Sequence, residues 1–390
     1  VQDMILFPKR KKTSFLTKVK MGDPEKTRFY TMNIVIGINI LFTLLLLLSY
    51  TAPYINPGRN SIIPFIGLTY PIALIMNFVF IMIWVFLRSK WIFLSLSIVL
   101  LGTPFHLKVF SINLTENTIP YNANTLKVMS YNVRLFGYYD ENSSKTKNSI
   151  LNYIRTEDPD VLCLQEYFNK EGSQDFNTLD SIYNIMSIRS HHEKSKYFPN
   201  KGTRYGISLF SKYPIVNKGV VHHNGTKNEN LNYCIFADIV KKQDTIRVYN
   251  VHFQSIKLET DEYVRQTSMT SDDKPKSIKY KSAISKLNKA FKIRSIQSAT
   301  VKNHIDKSPY KSVICGDFND TPMSYTYQIF DNELIDAFRN SSSGFGTTYS
   351  GYLPAGRIDY IFHSKSLKSA KFSIQKEKLS DHFAISCIIF

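Results

Sequence analysis

Asn132, Glu166, His252, Asp317, Asn319, Asp359, Asp381 and His382 stand at the ends of apolar runs, and their types converge on one kind of chemistry. The runs read "SYNVR" around Asn132, "LCLQEY" around Glu166, "YNVHFQS" around His252, "CGDFND" around Asp317 and Asn319, "GRIDYIF" around Asp359 and "LSDHFA" around Asp381 and His382. A carboxylate or imidazole inside a run apolar enough to be core is costly unless it is paired or bound to a cation. Carboxylate and amide oxygens without thiol partners suit a hard divalent cation, Mg²⁺ or Mn²⁺. A His beside an Asp, with another Asp available to orient it, is a general acid–base arrangement. Singly, each feature has a plain structural reading. Asn132 alone is a turn residue, Glu166 an edge-strand charge, and Asp381-His382 a helix cap. Their recurrence at successive run ends favours a single site, because functional groups gather where loops meet a rigid scaffold.

The elements that must position these residues are short and β-like. "LKVMSYNV" (126–133), "DVLCLQEY" (160–167), "GISLFSKYPI" (206–215), "NYCIFADIV" (232–240) and "TIRVYNVHF" (245–253) are rich in β-branched and aromatic residues. "KSVICGDFN" (311–319), "RIDYIFHS" (357–364) and "HFAISCIIF" (382–390) continue the series. Helical spacing appears at Ile150 and Ile154, and again at Ile284, Leu287 and Phe291. Strands with a minority of inserted helices predict packed sheets flanked by helices.

In this order, "SYNVR", "PDVLCLQE", "GISLFSKYPI", "NVHFQS", "GDFND", "RIDYIF" and "SDHFAI" resemble the motifs of the endonuclease/exonuclease/phosphatase superfamily. The resemblance covers about residues 125–390. It implies an α/β fold, a four-layer sandwich of two face-to-face, mostly antiparallel sheets flanked by helices. It also implies a metal-dependent hydrolase of phosphoester bonds that uses Mg²⁺ or Mn²⁺.

Residue by residue, Glu166 resembles the main metal-binding carboxylate, Asn132 a neighbour contacting metal or phosphate, and Asp381 a metal-side carboxylate. Asp317 resembles the group that activates the attacking water or assists the leaving group, and Asn319 the amide that holds a phosphate oxygen. His382 resembles the invariant imidazole, Asp359 the carboxylate orienting it, and His252 a phosphate-contacting His. Arg204 and Tyr205, in "HHEKSKYFPNKGTRYG", are candidates for contacts to phosphate or base on a substrate-edge loop.

The 390 residues carry 49 Lys+Arg against 31 Asp+Glu, a net charge of +18 that points to polyanionic partners. Hydrophobic content of 43% excludes a disordered chain, and four Cys exclude a disulfide scaffold. Each Cys sits in an apolar run and reads as a small buried hydrophobe. Basic residues crowd the start, at Lys9, Arg10, Lys11, Lys12, Lys18, Lys20, Lys26 and Arg28. No charge follows until Arg59, and none separates Asn60 from Leu87 or Trp91 from Leu107.

These patterns predict about three transmembrane helices, at 32–54, 62–87 and 91–107, behind a basic cytoplasmic segment over 1–30. Pro64 and Pro71 are expected to kink or shorten the second run, and Pro104 lies near the end of the third. Polar, aperiodic residues 108–124 read as a linker. Basic residues stay on the cytoplasmic side, so the Arg88–Lys90 turn joins the N-terminus there. The expected location is therefore a bacterial-type inner membrane, multi-pass, with the catalytic domain periplasmic.

The expected substrate is a phosphodiester, nuclease-like, and the basic segment Lys274–Arg294 suits either nucleic acid or anionic lipid headgroups. Phospholipid, sphingomyelin or inositol-phosphate hydrolysis is an alternative. A membrane-complex subunit that keeps the fold for binding is another, of a different class.

Overall fold

The computed structural model describes residues 24–113, 117–120, 124–188, 190–222, 234–256, 276–351 and 356–390, with backbone alone at 24 and over 276–281. Most of the expected basic N-terminal segment (1–23), the start of the Lys274–Arg294 segment and parts of the expected linker lie outside the described residues.

The first apolar run forms α1 (Pro24–Ser49). The second is broken where Pro64 and Pro71 occupy helix starts, giving α2 (Ile63–Leu68) and α3 (Tyr70–Phe86). The third is broken at Gly102 and Pro104 into α4 (Ile92–Leu101) and α5 (Thr103–Val109), bent by 62°. The expectation of about three spanning helices is therefore corrected. Among the described residues one helix, Glu25–Tyr54, is long and apolar enough to cross a membrane, or two if the bent α4–α5 pair is one span.

The helices pack inside out. Between them lies a buried polar network: Asn39 donates to Ser95 Oγ at 2.6 Å, Trp84 Nε1 donates to Asn39 Oδ1 at 2.8 Å, and Thr43 donates to Asn77 at 3.0 Å. The outward faces carry exposed Ile34, Leu41, Ile72, Ile75, Met82 and Phe93. These pairings run α1 antiparallel to α3 and alongside α4, so Lys26, Arg28, Arg88 and Lys90 gather at one end.

Beyond residue 110 the expected sandwich is present. The strands in chain order are β1 (Leu126–Asn132), β2 (Val161–Lys170), β3 (His191–Phe198), β4 (Thr203–Ser211), β5 (Ile215–Val220), β6 (Cys234–Lys241), β7 (Asp244–His252), β8 (Lys311–Asp317), β9 (Leu334–Asp336), β10 (Asp359–Ser364), β11 (Ser369–Ile374) and β12 (Ile385–Ile389). They form two six-stranded sheets, ordered β11-β12-β1-β2-β4-β3 and β5-β6-β7-β8-β10-β9. Each sheet is antiparallel except for one central parallel pair, β1 with β2 and β7 with β8. Helices α6 (Ser143–Glu157) and α7 (Thr178–Met186) cover the first sheet; α8 (Lys276–Asp306) and α9 (Tyr325–Asp331) cover the second, and α10 (Ala337–Ser341) follows β9. All four cysteines are buried and unbridged in the sandwich.

Side-chain alternation then aims the site. Val128 and Leu126 of β1 face the other sheet, so Asn132, in phase with them, faces it too. The same phase carries Val248 to His252, Val313 to Asp317 and Ile361 to Asp359. Asn132, His252 and Asp317 are thus the last, and Asp359 the first, position of an inter-sheet face.

The expected linker is tied down where it is described. Ser111 forms a bridge with Gly344, and Asn113 donates to Arg339 O at 2.9 Å. Asn117 donates to Ser369 O at 2.8 Å.

Candidate active site

The floor of the site is a row across the second sheet. His252 pairs in register with Asp317 on one side, and Asp359 pairs with Asp317 on the other. Three ionisable groups therefore lie abreast at the ends of β7, β8 and β10.

Glu166 joins them by a different route. Leu164 and Tyr167 both belong to the helix-facing core, so simple alternation would turn Glu166 away from Gln165. A bulge intervenes: between Leu164 and Tyr167 the register with β4 shifts by one residue, from Ser208 to Gly206. Glu166 takes a φ of 50°, a left-handed backbone that few non-glycine residues adopt. Gln165 and Glu166 both then face the gap between the sheets, with Glu166 Oε1 3.9 Å from His252 Nε2.

Asp317 is the hub. Asn132 Nδ2 donates to its Oδ2 at 3.1 Å from the opposite sheet. The Asn319 backbone N–H donates to its Oδ1 at 2.8 Å and the Asn319 amide to its Oδ2 at 3.1 Å. The Asn319 amide also reaches Phe253 O at 3.0 Å, and its φ of 53° is the left-handed conformation that Asn tolerates better than most residues. His252 Nε2 and His382 Nε2 stand 3.6 and 3.7 Å from Asp317 Oδ2. Burial raises the Asp317 pKa and Asp359 adds to the rise, while His382 and His252 pull against it.

His382 lies just before β12 and turns Nδ1 to Asp359, at 3.0 and 3.2 Å from its two oxygens. Burial of the ring opposes its charge, yet Asp359, Asp317 and Asp381 outweigh that and hold its pKa well above the ordinary imidazole value. Asp381 shares the turn: Ser380 Oγ lies 3.1 Å from its Oδ1 and donates to Asn132 O at 2.9 Å. Glu166 is pushed up to about 7 by burial and by the facing carboxylates of Asp381 and Asp317, against the pull of His382 and Asn132.

That donor set fits a divalent cation. Glu166, Asp381 and Asp317 crowd negative charge strongly enough to lift one of their own pKa values, and a hard cation among oxygen donors would relieve it. Ligand atoms of Asp317, Asp359 and His382 also lie within 4.8 Å of one another. In that trio His382 Nδ1 and both Asp359 oxygens already meet each other. The trio thus pairs His382 with Asp359 by hydrogen bond and leaves Asp317 3.7 Å from the other ring nitrogen, beside the carboxylate set.

The two substrate candidates on β4 part company. Arg204 is taken up by Glu171 at 2.7 Å and Glu193 at 3.4 Å, with its guanidinium over the Tyr197 ring. Tyr205 is in phase with Ile207 and Leu209, which face the other sheet, and burial with the Glu166 charge holds its hydroxyl pKa well above the usual value.

Several supporting residues escaped the sequence reading. Thr348 Oγ1 accepts from the backbone N–H groups of Ile358 and Asp359 at 3.0 and 3.1 Å, setting the start of β10. The Tyr349 ring packs edge-on to His382 at 5.0 Å between centroids. Below the site Gln165 Nε2 donates to Asn250 Oδ1 at 2.6 Å, and Asn250 Nδ2 donates to Leu164 O and Ser208 O, bolting the sheets together. The available signal was phase: Gln165 and Asn250 are polar residues at inward positions of apolar runs. Thr348 and Tyr349 lie in a stretch without periodicity and gave none.

The Endonuclease/Exonuclease/phosphatase family model matches residues 129–382, and a domain family of unknown function matches residues 32–109. No curated protein matches the chain. Among solved structures, an endonuclease/exonuclease/phosphatase family protein from Leptotrichia buccalis is similar at 16% identity and a TM-score of 0.48, covering 68% of this chain and 99% of that one. The human Nocturnin catalytic domain is similar at 17% identity and a TM-score of 0.47, covering 68% and 94%. A family protein from Bacteroides thetaiotaomicron is similar at 15% identity and a TM-score of 0.46, covering 68% and 98%.

Proposed function

We propose that this chain, which belongs to the Endonuclease/Exonuclease/phosphatase family, is a membrane-anchored hydrolase of phosphodiesters that depends on a divalent cation, Mg²⁺ or Mn²⁺. The observation that carries the reading is the convergence on Asp317 of Asn132, Asn319, His252 and His382, with Asp359 behind His382. An anionic ligand placed there would meet preorganised donors in a buried setting, where they act most strongly.

In this reading Glu166, Asp381 and Asn132 hold the cation. When bound, it supplies positive charge against the phosphate and the leaving oxygen. The protein's own groups do the rest. His382, kept protonated by Asp359, donates to a phosphate oxygen, and His252 adds a donor to the same group. The Asn319 amide turns to that phosphate by exchanging one of its two present bonds, to Asp317 and Phe253 O, for a phosphate oxygen. Asp317, buried and oriented by two amides, exchanges a proton with the attacking water or the leaving group. Tyr205 lines the substrate edge beside Glu166.

The inside-out helices support the anchor, since a polar seam between helices with apolar outer faces suits lipid better than water. Lys26, Arg28, Arg88 and Lys90 sit at the end away from the sandwich, which supports a cytoplasmic end there and an extracytoplasmic catalytic domain at an inner membrane. The favoured substrate is nucleic acid. One observation favours a phospholipid headgroup as the second reading: the loop that carries Asn319 runs on to Met323, which packs among bundle residues.

Both readings are tested with the full chain in liposomes and Mg²⁺, assayed in parallel on plasmid DNA, RNA, sphingomyelin, inositol phosphates and bis(p-nitrophenyl) phosphate. Glu166→Ala and His382→Ala are expected to lose turnover by about 10²–10⁴-fold while keeping the fold. Wild-type turnover of a generic phosphodiester by either variant sinks the site assignment. Alkaline carbonate should leave the full chain in the membrane pellet, and its release to the supernatant would remove the anchor.

A further inference from the structure

Two segments that carry the site rest directly on the helical bundle. From Asp317 and Asn319 the chain continues through Phe318, fully buried, and Asp320, whose carboxylate pairs with buried Arg294 at 3.1 Å. The Tyr360 hydroxyl donates to Asp320 O at 2.8 Å. The loop then delivers Met323, 3% exposed, into one apolar cluster with Leu46, Tyr50, Tyr70, Ala73, Ile98 and Val99. Helix α2 comes close at the same place: a Cβ on Gly67 would stand 2.7 Å from the Ala52 Cβ and 3.3 Å from Met323 O. The second segment is the approach to Asp359. Arg357, 2% exposed, donates through Nη2 to Lys108 O at the end of α5 at 2.8 Å and pairs with Asp336 at 2.6 Å. Lys108 itself leaves the bundle to meet Asp331 at 3.0 Å.

We propose, on the reading of the site given above, that the bundle is part of the active-site scaffold and that Met323 is the positioning residue linking the two. Its seat among the helices fixes the 318–324 loop and, through that loop, holds Asn319 against Asp317. The backbone explains why a seat is needed. Asn319 is in the left-handed region, which Asn tolerates better than most residues but which is still held by the structure around it. On one side β8 is locked in its sheet by register with β7 and β10. On the other the loop is held by Asp320 and Met323 before it enters α9, whose Tyr327 and Phe330 share the core of Phe318. Of these holds Met323 alone joins the apolar cluster of the bundle. Methionine suits the task, since its unbranched side chain fills an irregular gap between helices without demanding one rotamer. The Asn319 amide and N–H both bond Asp317, so a slack loop would release two of the donors that orient it.

The test uses the full chain in liposomes, comparing wild type, Met323→Ala and Met323→Leu. Hydrogen exchange is read over residues 317–322 and over β1 as an internal control, and kcat and KM are measured for bis(p-nitrophenyl) phosphate with Mg²⁺. Met323→Ala should raise exchange at 317–322 about tenfold with β1 unchanged, and lower kcat about tenfold with KM within about twofold. The volume-conserving Met323→Leu should restore both. Exchange at 317–322 that stays at the wild-type rate, or that rises equally in β1, overturns the proposal. So does a leucine variant that behaves like alanine. A wild type inert towards every phosphodiester would sink the hydrolase reading instead, while the exchange comparison still decides the clamp.

Discussion

His382 and Asp359, 23 residues apart in the chain, meet at 3.0 Å through His382 Nδ1 and Asp359 Oδ2. The contact leaves His382 Nε2 aimed at Asp317, 3.7 Å away. Asp359 therefore sets the ring's orientation and, ahead of Asp317 and Asp381, favours its charged form.

Asp359→Asn should keep the geometry and remove the anion. Turnover is expected to fall about 10²–10⁴-fold. The raised His382 pKa also links to stability. Its contribution is fully present below the ordinary imidazole value, near 6.5, and fades as pH rises through the higher folded-state value. The difference in melting temperature between wild type and Asp359→Asn should thus be largest at acid-to-neutral pH and shrink at alkaline pH. A constant gap from pH 6 to 10 would show that His382 is not held charged.

Glu166 makes the opposite demand. Its pKa stands raised from 4.5 to about 7, so the metal-free fold favours the protonated carboxyl and loses stability as pH rises between those values. In EDTA at pH 8, Glu166→Gln should therefore be more stable than wild type, by about 1–2 kcal/mol once solvent screening at this partly open side chain is counted. Adding Mg²⁺ should raise the wild-type melting temperature and leave the glutamine variant nearly unmoved. Equal stabilisation of both by Mg²⁺ would place the cation elsewhere.

Asn319 separates backbone from side chain. Asn319→Ala loses the amide and places Ala in a left-handed conformation costing about 1–2 kcal/mol, whereas Asn319→Gly loses the amide alone. Both should drop kcat about 10²–10³-fold and lose the amide's bonds to Asp317 and Phe253 O, and the alanine variant should melt lower than the glycine variant. A glycine variant with wild-type kcat would mean that the amide holds no phosphate oxygen.

Asn39 tests the seam of the bundle. Asn39→Leu strands the donors and acceptors of Trp84 and Ser95 that now meet it at 2.8 and 2.6 Å. Denaturation in detergent, followed by tryptophan fluorescence, should show a loss of about 0.6–1.7 kcal/mol with the sandwich transition unmoved. A gain in stability would mean that the network is dispensable for helix packing.

Much of the fold and of the site was legible because strand periodicity is local. Alternation in "LKVMSYN", "VYNVH", "VICGD" and "DYIF" already assigns Asn132, His252, Asp317 and Asp359 to the faces that carry Val128, Val248, Val313 and Ile361. Hydropathy located the helical region correctly and misjudged its spans, because Pro64, Pro71, Gly102 and Pro104 divide two of the three apolar runs. Arg204, expected near phosphate or base, pairs with Glu171 and Glu193, and nothing local reveals that the sheet would bring those two carboxylates beside it.

Residue types, their phase along each strand and the order of the motifs belong to the chain alone. The inward turn of Glu166 does not: it depends on a bulge whose extra residue exists only relative to β4. Nor does the grip of the bundle on Met323, or the bond from Arg357 to Lys108 O. Periodicity is a property of neighbours in sequence, whereas register, bulges and docking are relations between segments. Only packing chooses among those.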